Sequence, residues 1–303
     1  MHGQRVLVTG GAGFIGSNLA NHLAADNDVV VVDDLYLGTP ENLDDDVEFH
    51  EASVLDDDLP TDVDAVFHFA ALSSRAMLED DPQRGARVNV EGFVNVVEQA
   101  RADGCDTVVY ASTSSIYDDD LPSSEDEDVV ADTGYEASML GRERYMEYYN
   151  EFYDDLTVAG MRFFSVYQGY GGAEEHKGEF ANTVSQFADK VARGEPPVLW
   201  GDGTQTRDFV HVSDVVSALV RAAEERLTGA YNVGTGDHYS FNEVVDLIND
   251  ALGTDVEPEY EPIQLKNYNH QQRADASKLR EATGWEPTVD FEDGVRRVCE
   301  PYQ

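Results

Sequence analysis

Residues Arg5 to Asp34 read RVLVTGGAGFIGSNLANHLAADNDVVVVDD, and the order of residue types in this stretch decides the fold. A short apolar run, Val6-Leu-Val8, leads into Gly10-Gly-Ala-Gly-Phe-Ile-Gly16. From Ser17 to Ala25 the spacing is helical, with Leu19 and Leu23 on one face. Val29 to Val32 then forms a second buried strand, which ends on Asp33-Asp34. Each glycine has a distinct physical use in such an order. Gly10 permits a tight turn, and Gly13 lets the backbone approach a pyrophosphate. Gly16 lets helix and strand pack closely. Phe14 and Ile15, inside that loop, count with the cofactor site, and the N-terminus of the helix that follows attracts phosphate.

Strand, glycine loop, helix, strand and acid together make a Rossmann unit. Asp33 stands where the ribose 2′-hydroxyl of a dinucleotide would bind, and with Asp34 it repels a 2′-phosphate. NAD is therefore expected over NADP. A glycine turn in an ordinary βαβ unit is the competing reading, and the two strands, the helix and the acid count against it. The alternation continues with strands at Ala65–Phe69 and Thr107–Ala111 and a helix from Val88 to Ala100. The predicted class is α/β: a Rossmann-type doubly wound parallel sheet with a smaller, partly interleaved α/β substrate domain. Ligands of such sheets sit at the carboxyl ends of the strands. The expected division is residues 1–165 for NAD and 166–303 mainly for substrate, with segments returning to the first domain. His68 lies in an apolar strand and reads as a packed core histidine.

Composition narrows the partners. The chain has 303 residues, 41% of them hydrophobic, enough for a large core. Sixty-one acidic residues stand against 20 basic ones, a net charge of −41. The acids are dispersed and cluster in turns such as Asp44–Asp46 and Asp118–Asp120, so the composition reads as adaptation to multimolar salt. Neither nucleic acid nor membrane is expected as a partner, since both select a basic surface. Cys105 and Cys299 make no disulfide scaffold, and no cysteine–histidine spacing calls for a metal. The first strand starts too early for a signal peptide, and no apolar run is of spanning length, so a cytoplasmic protein is expected.

Further motifs fill in the rest: HFAA (68–71), NVEGFVNV (89–96), STSSIY (112–117), YEAS (135–138), RFFSVY (162–167), GDGTQTRDFVHVSD (201–214), YNVGTG (231–236) and ATGWEP (282–287). With TGGAGFIGS (9–17), this ordered set resembles the extended short-chain dehydrogenase/reductases, specifically the NAD-dependent nucleotide-sugar epimerases, over nearly the whole chain. The resemblance implies Thr113 and Tyr135 as the catalytic hydroxyl and base. For the cofactor it implies Ser53, Val54, Phe69, Ala70, Ala71, Asn89 and Phe164, besides the glycine loop and its acid. For a nucleotide-diphosphate sugar, most often a UDP-sugar, it implies Ser165, Asn182, Val198, Trp200 and Arg207. A second arginine expected upstream of Ala274-Asp275 is replaced, at best, by Lys266. Related dehydratases and decarboxylases carry carboxylates just after the threonine. Here those places hold Ser114 and Ser115, which favours epimerisation, at carbon 4 of the sugar.

One position departs from the pattern. Residues i and i+4 of a helix lie on one face, so position 139 points into the same site as Tyr135. The resemblance places a lysine there, which lowers the tyrosine's pKa and holds the nicotinamide ribose. This chain has Met139. Three readings stand open. The preferred one is a lysine-to-methionine replacement that silences the enzyme, since the rest of the site is maintained. The second is a natural enzyme in which NAD alone, or another cation, activates Tyr135. The third is a non-catalytic NAD or nucleotide-sugar binding protein. A sugar dehydrogenase that releases its product is a further alternative. The resemblance also implies a homodimer through the helices near 89–100 and 135–153.

Overall fold

The structure, a computed structural model, describes residues 1–303. In chain order, the first half runs β1 (Arg5–Thr9), α1 (Phe14–Ala24), β2 (Asp28–Asp33), β3 (Glu48–Glu51), β4 (Ala65–His68), α2 (Arg75–Asp80), α3 (Pro82–Ala86), α4 (Gly92–Asp103), β5 (Thr107–Thr113) and α5 (Gly134–Phe152). The second half runs β6 (Thr157–Phe163), β7 (Ser165–Tyr167), α6 (Thr183–Ala192), β8 (Val198–Trp200), β9 (Thr206–Arg207), β10 (Phe209–His211) and α7 (Val212–Glu224). It ends with β11 (Gly229–Val233), β12 (Tyr239–Ser240), α8 (Phe241–Leu252), β13 (Glu259–Glu261), α9 (Ser277–Thr283) and α10 (Phe291–Cys299).

Seven strands form the main sheet in the order β11-β6-β5-β4-β1-β2-β3, and every neighbouring pair is parallel. The chain reverses its direction of travel across the sheet between β1 and β4, where a crevice opens beyond the strand ends. Such strands are buried on both faces, hence their near-continuous apolar runs. One core packs α1 and α7 onto the sheet through Leu19, Leu23, Val215 and Leu219, with Trp285 at its border. The other packs α4 and α5 through Phe93, Val97, Met146 and Tyr149. A third core, with Tyr167, Phe209, Val244 and Val295, joins α6, α8 and α10 into a smaller unit.

Interleaving of the two halves is explicit. β11 adds to the edge of the main sheet and α7 lies against α1, although both follow residue 166. The predicted helix at 88–100 divides into a wide π-type turn, Arg87–Glu91, and α4. His68 is fully buried, its Nδ1 2.8 Å from Thr9 Oγ1, and burial holds its pKa well below the usual value. His211 caps α7 by accepting from Ser213 N, while Asp214 accepts from Thr288 N at 3.0 Å and Val289 N at 3.0 Å. These polar groups serve the fold. No helix is long and apolar enough to cross a membrane.

Candidate active site

A cavity of about 570 Å³ opens at the carboxyl ends of the main strands. Among its walls are Gly10, Gly13, Phe14, Ile15, Gly16, Asp33, Asp34, Val54, Phe69, Ala70, Ala71, Thr113, Tyr135, Met139, Phe164, Ser165 and Arg207, all of them candidates from the sequence. Ser53, Asn89, Asn182, Val198 and Trp200 are not among them.

The cofactor end starts at β1. Gly10 has φ +67°, and a Cβ on it would stand 2.5 Å from Ala70 N. A Cβ on Gly16 would stand 2.3 Å from Gly10 O, so Gly16 packs against the loop's own backbone. α1 begins after Gly13 with no side chain capping it. Its first-turn N–H groups thus lack intrahelical partners and face the cavity as an anion site. Asp33, 8% exposed, accepts from Ala12 N at 3.1 Å and Leu35 N at 2.8 Å. Burial raises its pKa and these two amides lower it. Its remaining lone pairs can take a ribose diol. Asp34 is engaged differently: Arg84 bonds it at 3.1 Å and lies 4.0 Å over the Tyr36 ring. The open amides, the glycine cradle and the anchored carboxylate together fit NAD.

The catalytic end joins β5 to α5. Thr113 is the last residue of β5; its hydroxyl donates to Ser115 Oγ at 3.0 Å and accepts from Ser115 N at 3.1 Å. α5 starts with a capping box, in which Thr133 and Glu136 satisfy each other's backbone N–H. That start fixes Tyr135 in the first turn, facing Thr113. Burial raises the phenol's pKa; the Thr113 hydroxyl and the charge of Arg142 lower it, and Glu136 raises it. Met139 is 2% exposed, one turn on. Below it, Glu143 and Arg162 form a buried ion pair at 2.7 Å, which Ser112 and Tyr117 complete through hydrogen bonds of 2.7 and 2.6 Å. This closed network clamps α5 to β5 and β6.

On the substrate side, Arg207 lies between the Tyr268 and Phe241 rings at 5.2 and 5.7 Å and makes no ion pair with a carboxylate. A half-buried, unpaired guanidinium suits a diphosphate, whose oxygens it can bond in pairs. Asn182 caps α6, accepting from Val184 N at 3.0 Å and donating to Val166 O at 3.0 Å. Trp200 meets Tyr268 edge-on at 5.7 Å, one ring removed from the cavity. Val198 sits with it on β8. Ser53 closes a short turn by accepting from Leu55 N, and Asn89 holds Leu72 N and O through its amide.

Sequence reasoning overlooked Arg75, and it placed Lys177 only in a loop that could cover the substrate. Arg75 lines the cavity and donates to Lys266 O at 2.7 Å, so the segment around Lys266 is tied down by an arginine 191 residues earlier. Lys177, near the glycine loop, stands 5.4 Å from the Phe14 ring. Rarity was the available signal: with only 20 basic residues against 61 acids, each one spared for the interior is informative.

Comparison with known proteins accords with this arrangement. Residues 6–234 match the NAD dependent epimerase/dehydratase family. The UDP-glucose 4-epimerase of Mycolicibacterium smegmatis is 38% identical, with 98% of each chain covered. The structure superposes on Thermotoga maritima UDP-glucose 4-epimerase, solved with UDP-glucose, with TM-score 0.89 and 32% identity, covering 98% of this chain and 97% of that one. It superposes on the Thermus thermophilus UDP-glucose 4-epimerase complex with NAD with TM-score 0.86 and 32% identity, covering 98% of each chain. With a family match over residues 6–234 and a relative aligned over 98% of its length, the chain belongs to the NAD dependent epimerase/dehydratase family.

Proposed function

We propose that this enzyme inverts carbon 4 of a nucleotide-diphosphate sugar, with a UDP-sugar as the favoured substrate class. The observation that carries the reading is the Thr113–Tyr135 pair facing one cavity with the glycine loop and the unpaired Arg207. Tyr135 takes the proton of the 4-hydroxyl, and Thr113 bridges the two oxygens by hydrogen bond. NAD, when bound, supplies the two-electron acceptor and donor at that carbon. Arg207 holds the diphosphate as a fixed pivot while the 4-keto sugar turns over in the cavity. The carbonyl carbon then takes its hydrogen back, as hydride, on the other face, while Tyr135 returns the proton to the oxygen. The two half-steps cancel as oxidation and reduction, so NAD need never leave. Ser114 and Ser115 provide no carboxylate beside Thr113, which counts against dehydration and decarboxylation.

Met139 favours a second reading, a protein that binds NAD and a nucleotide sugar without turnover. A dehydrogenase is a third. Incubation of the purified chain with NAD and several UDP-sugars in concentrated potassium chloride, with Tyr135→Phe alongside, separates them. Interconversion in both directions without net NADH supports epimerisation. Accumulating NADH replaces it with dehydrogenation, and binding without conversion, by the unaltered chain and by Met139→Lys alike, replaces it with the binding protein.

The same proposal includes a homodimer, a cytoplasmic location and a requirement for high salt. α5 presents Tyr145, Tyr148 and Phe152, 41%, 41% and 70% exposed, a patch that supports pairing with a second copy.

A further inference from the structure

Arg142 is the largest side chain in the molecule that is wholly buried, 0% exposed. It stands seven residues after Tyr135 and three after Met139, so the three occupy one face of α5. Helical side chains lean toward the N-terminus, which aims the guanidinium back toward the phenol. Its donors are spent on backbone carbonyls: Nε to Asn89 O at 2.5 Å, Nη2 to Ala70 O at 2.7 Å and Nη1 to Ala111 O at 3.4 Å. Ala70 and Ala111 also line the catalytic cavity, so the charge lies directly beneath its floor.

No carboxylate accompanies this charge. An isolated buried cation is costly, and a protein keeps one only where something compensates it. The groups that can compensate Arg142 as anions are two phenols, Tyr135 on α5 and Tyr110 on β5. Tyr110 is fully buried, donates to Met146 Sδ at 3.5 Å and is kept neutral by that burial. His68 on β4 also feels Arg142 and is driven toward its neutral form. Glu143 and Arg162, the charged groups behind Tyr110, satisfy each other. On the phenol's side, Glu136 opposes the anion and Thr113 favours it. The cations on the cavity wall are engaged elsewhere: Lys177 stands over Phe14, Arg84 pairs with Asp34, Arg75 pairs with Glu79, and Arg207 lies between Tyr268 and Phe241. One partner remains.

We infer that Arg142 supplies the positive charge that sustains Tyr135 as a base, in place of a cation at position 139. It is a positioning residue, acting through the phenol and touching no substrate. The chain is then a working enzyme with its cation displaced by less than one helical turn. This rests on Tyr135 being the base, as proposed above.

The test is the pH dependence of kcat/KM for the unaltered chain, Arg142→Gln, Arg142→Lys, Met139→Lys and Arg142→Gln/Met139→Lys, with circular dichroism and NAD retention as folding controls. The acidic limb reports the base: losing the cation destabilises the phenolate, raises its pKa and moves the limb to higher pH. In Arg142→Gln the limb moves up by about one unit or more, a loss of about tenfold at neutral pH. Arg142→Lys keeps the original limb, and lysine at 139 restores it in the double variant. A folded Arg142→Gln protein with an unmoved limb overturns the inference, as does an activity loss that Met139→Lys does not rescue. Should Arg142→Gln fail to fold, Met139→Lys alone decides. Its limb lies within about one unit of the unaltered chain's if Arg142 already serves. A fall of about three units, the distance from a free phenol to neutrality, overturns the inference. An inactive unaltered chain beside an active Met139→Lys chain overturns it too, while leaving the epimerase reading intact. Inactivity of both chains, or full activity of Tyr135→Phe, removes that reading itself.

Discussion

Two buried arginines lie on either side of the same helix–sheet seam, and they are treated oppositely. Arg162, on β6, is closed: Glu143 bonds it with both oxygens, and Tyr117 accepts a further bond. Arg142, on α5, is open, with three backbone carbonyls and no carboxylate. Both pay desolvation, and only Arg162 recovers it within the resting fold. Its pKa is accordingly raised by Glu143 against the effect of burial, while burial takes that of Arg142 down to about 10. A closed pair stabilises one arrangement of α5 on the sheet. An open cation creates a place where negative charge is welcome, and here that place adjoins the tyrosine of the active site. Charge satisfaction thus separates a structural arginine from one held in readiness for chemistry.

Several substitutions break or sharpen this contrast, in falling order of effect. Tyr135→Phe removes the one anion Arg142 can sustain; epimerisation should fall by about 10²–10⁴-fold, the range for a lost acid–base group. Thermal unfolding and NAD retention should change little, and calorimetry with a product assay checks both halves. Arg162→Met leaves Glu143 buried without its partner, so stability should drop by about 3–5 kcal/mol in a denaturant titration. Arg142→Met, by contrast, removes a charge that has no carboxylate to orphan. Its cost in the same titration should be clearly smaller than that of Arg162→Met, and its main effect should be on the acidic limb of activity. Gly10→Ala acts away from both arginines, on the cofactor loop. Its Cβ has no room beside Ala70 N at 2.5 Å, so copurifying NAD should be reduced while the pH limb of any residual activity stays put. Phe152→Asp, on the far exposed end of α5, should leave catalysis nearly unchanged and shift the mass in light scattering toward monomer.

The part of this contrast that could be read from sequence follows from physics of short range. The βαβ order, the glycine loop and Asp33 are local patterns, and the structure sets them as the pattern demands. Tyr135 and Met139 are separated by one helical turn, so their shared face was legible too. Asn182, Val198 and Trp200 were placed by likeness of motif; whether such loop residues reach a cavity depends on how the chain closes around it, and here they stop short of its wall. The return of β11 to the sheet edge and the tie between Arg75 and Lys266 O are long-range pairings with no local signature. Arg142 was hidden for a different reason. On a linear reading of Gly141-Arg-Glu-Arg144 it is one charge among three on a helix, and such runs are usually solvated. Only the backbone carbonyls of Ala70, Asn89 and Ala111 around it reveal that it points inward.

The most direct measurement is a two-chain comparison of product formation: the unaltered chain and its Met139→Lys variant, each with NAD and a UDP-sugar pair at neutral pH. If Arg142 provides the charge, the unaltered chain interconverts the pair, at a rate within about tenfold of the lysine form. Conversion by the lysine form alone would show that the cation beneath the cavity floor does not serve the phenol.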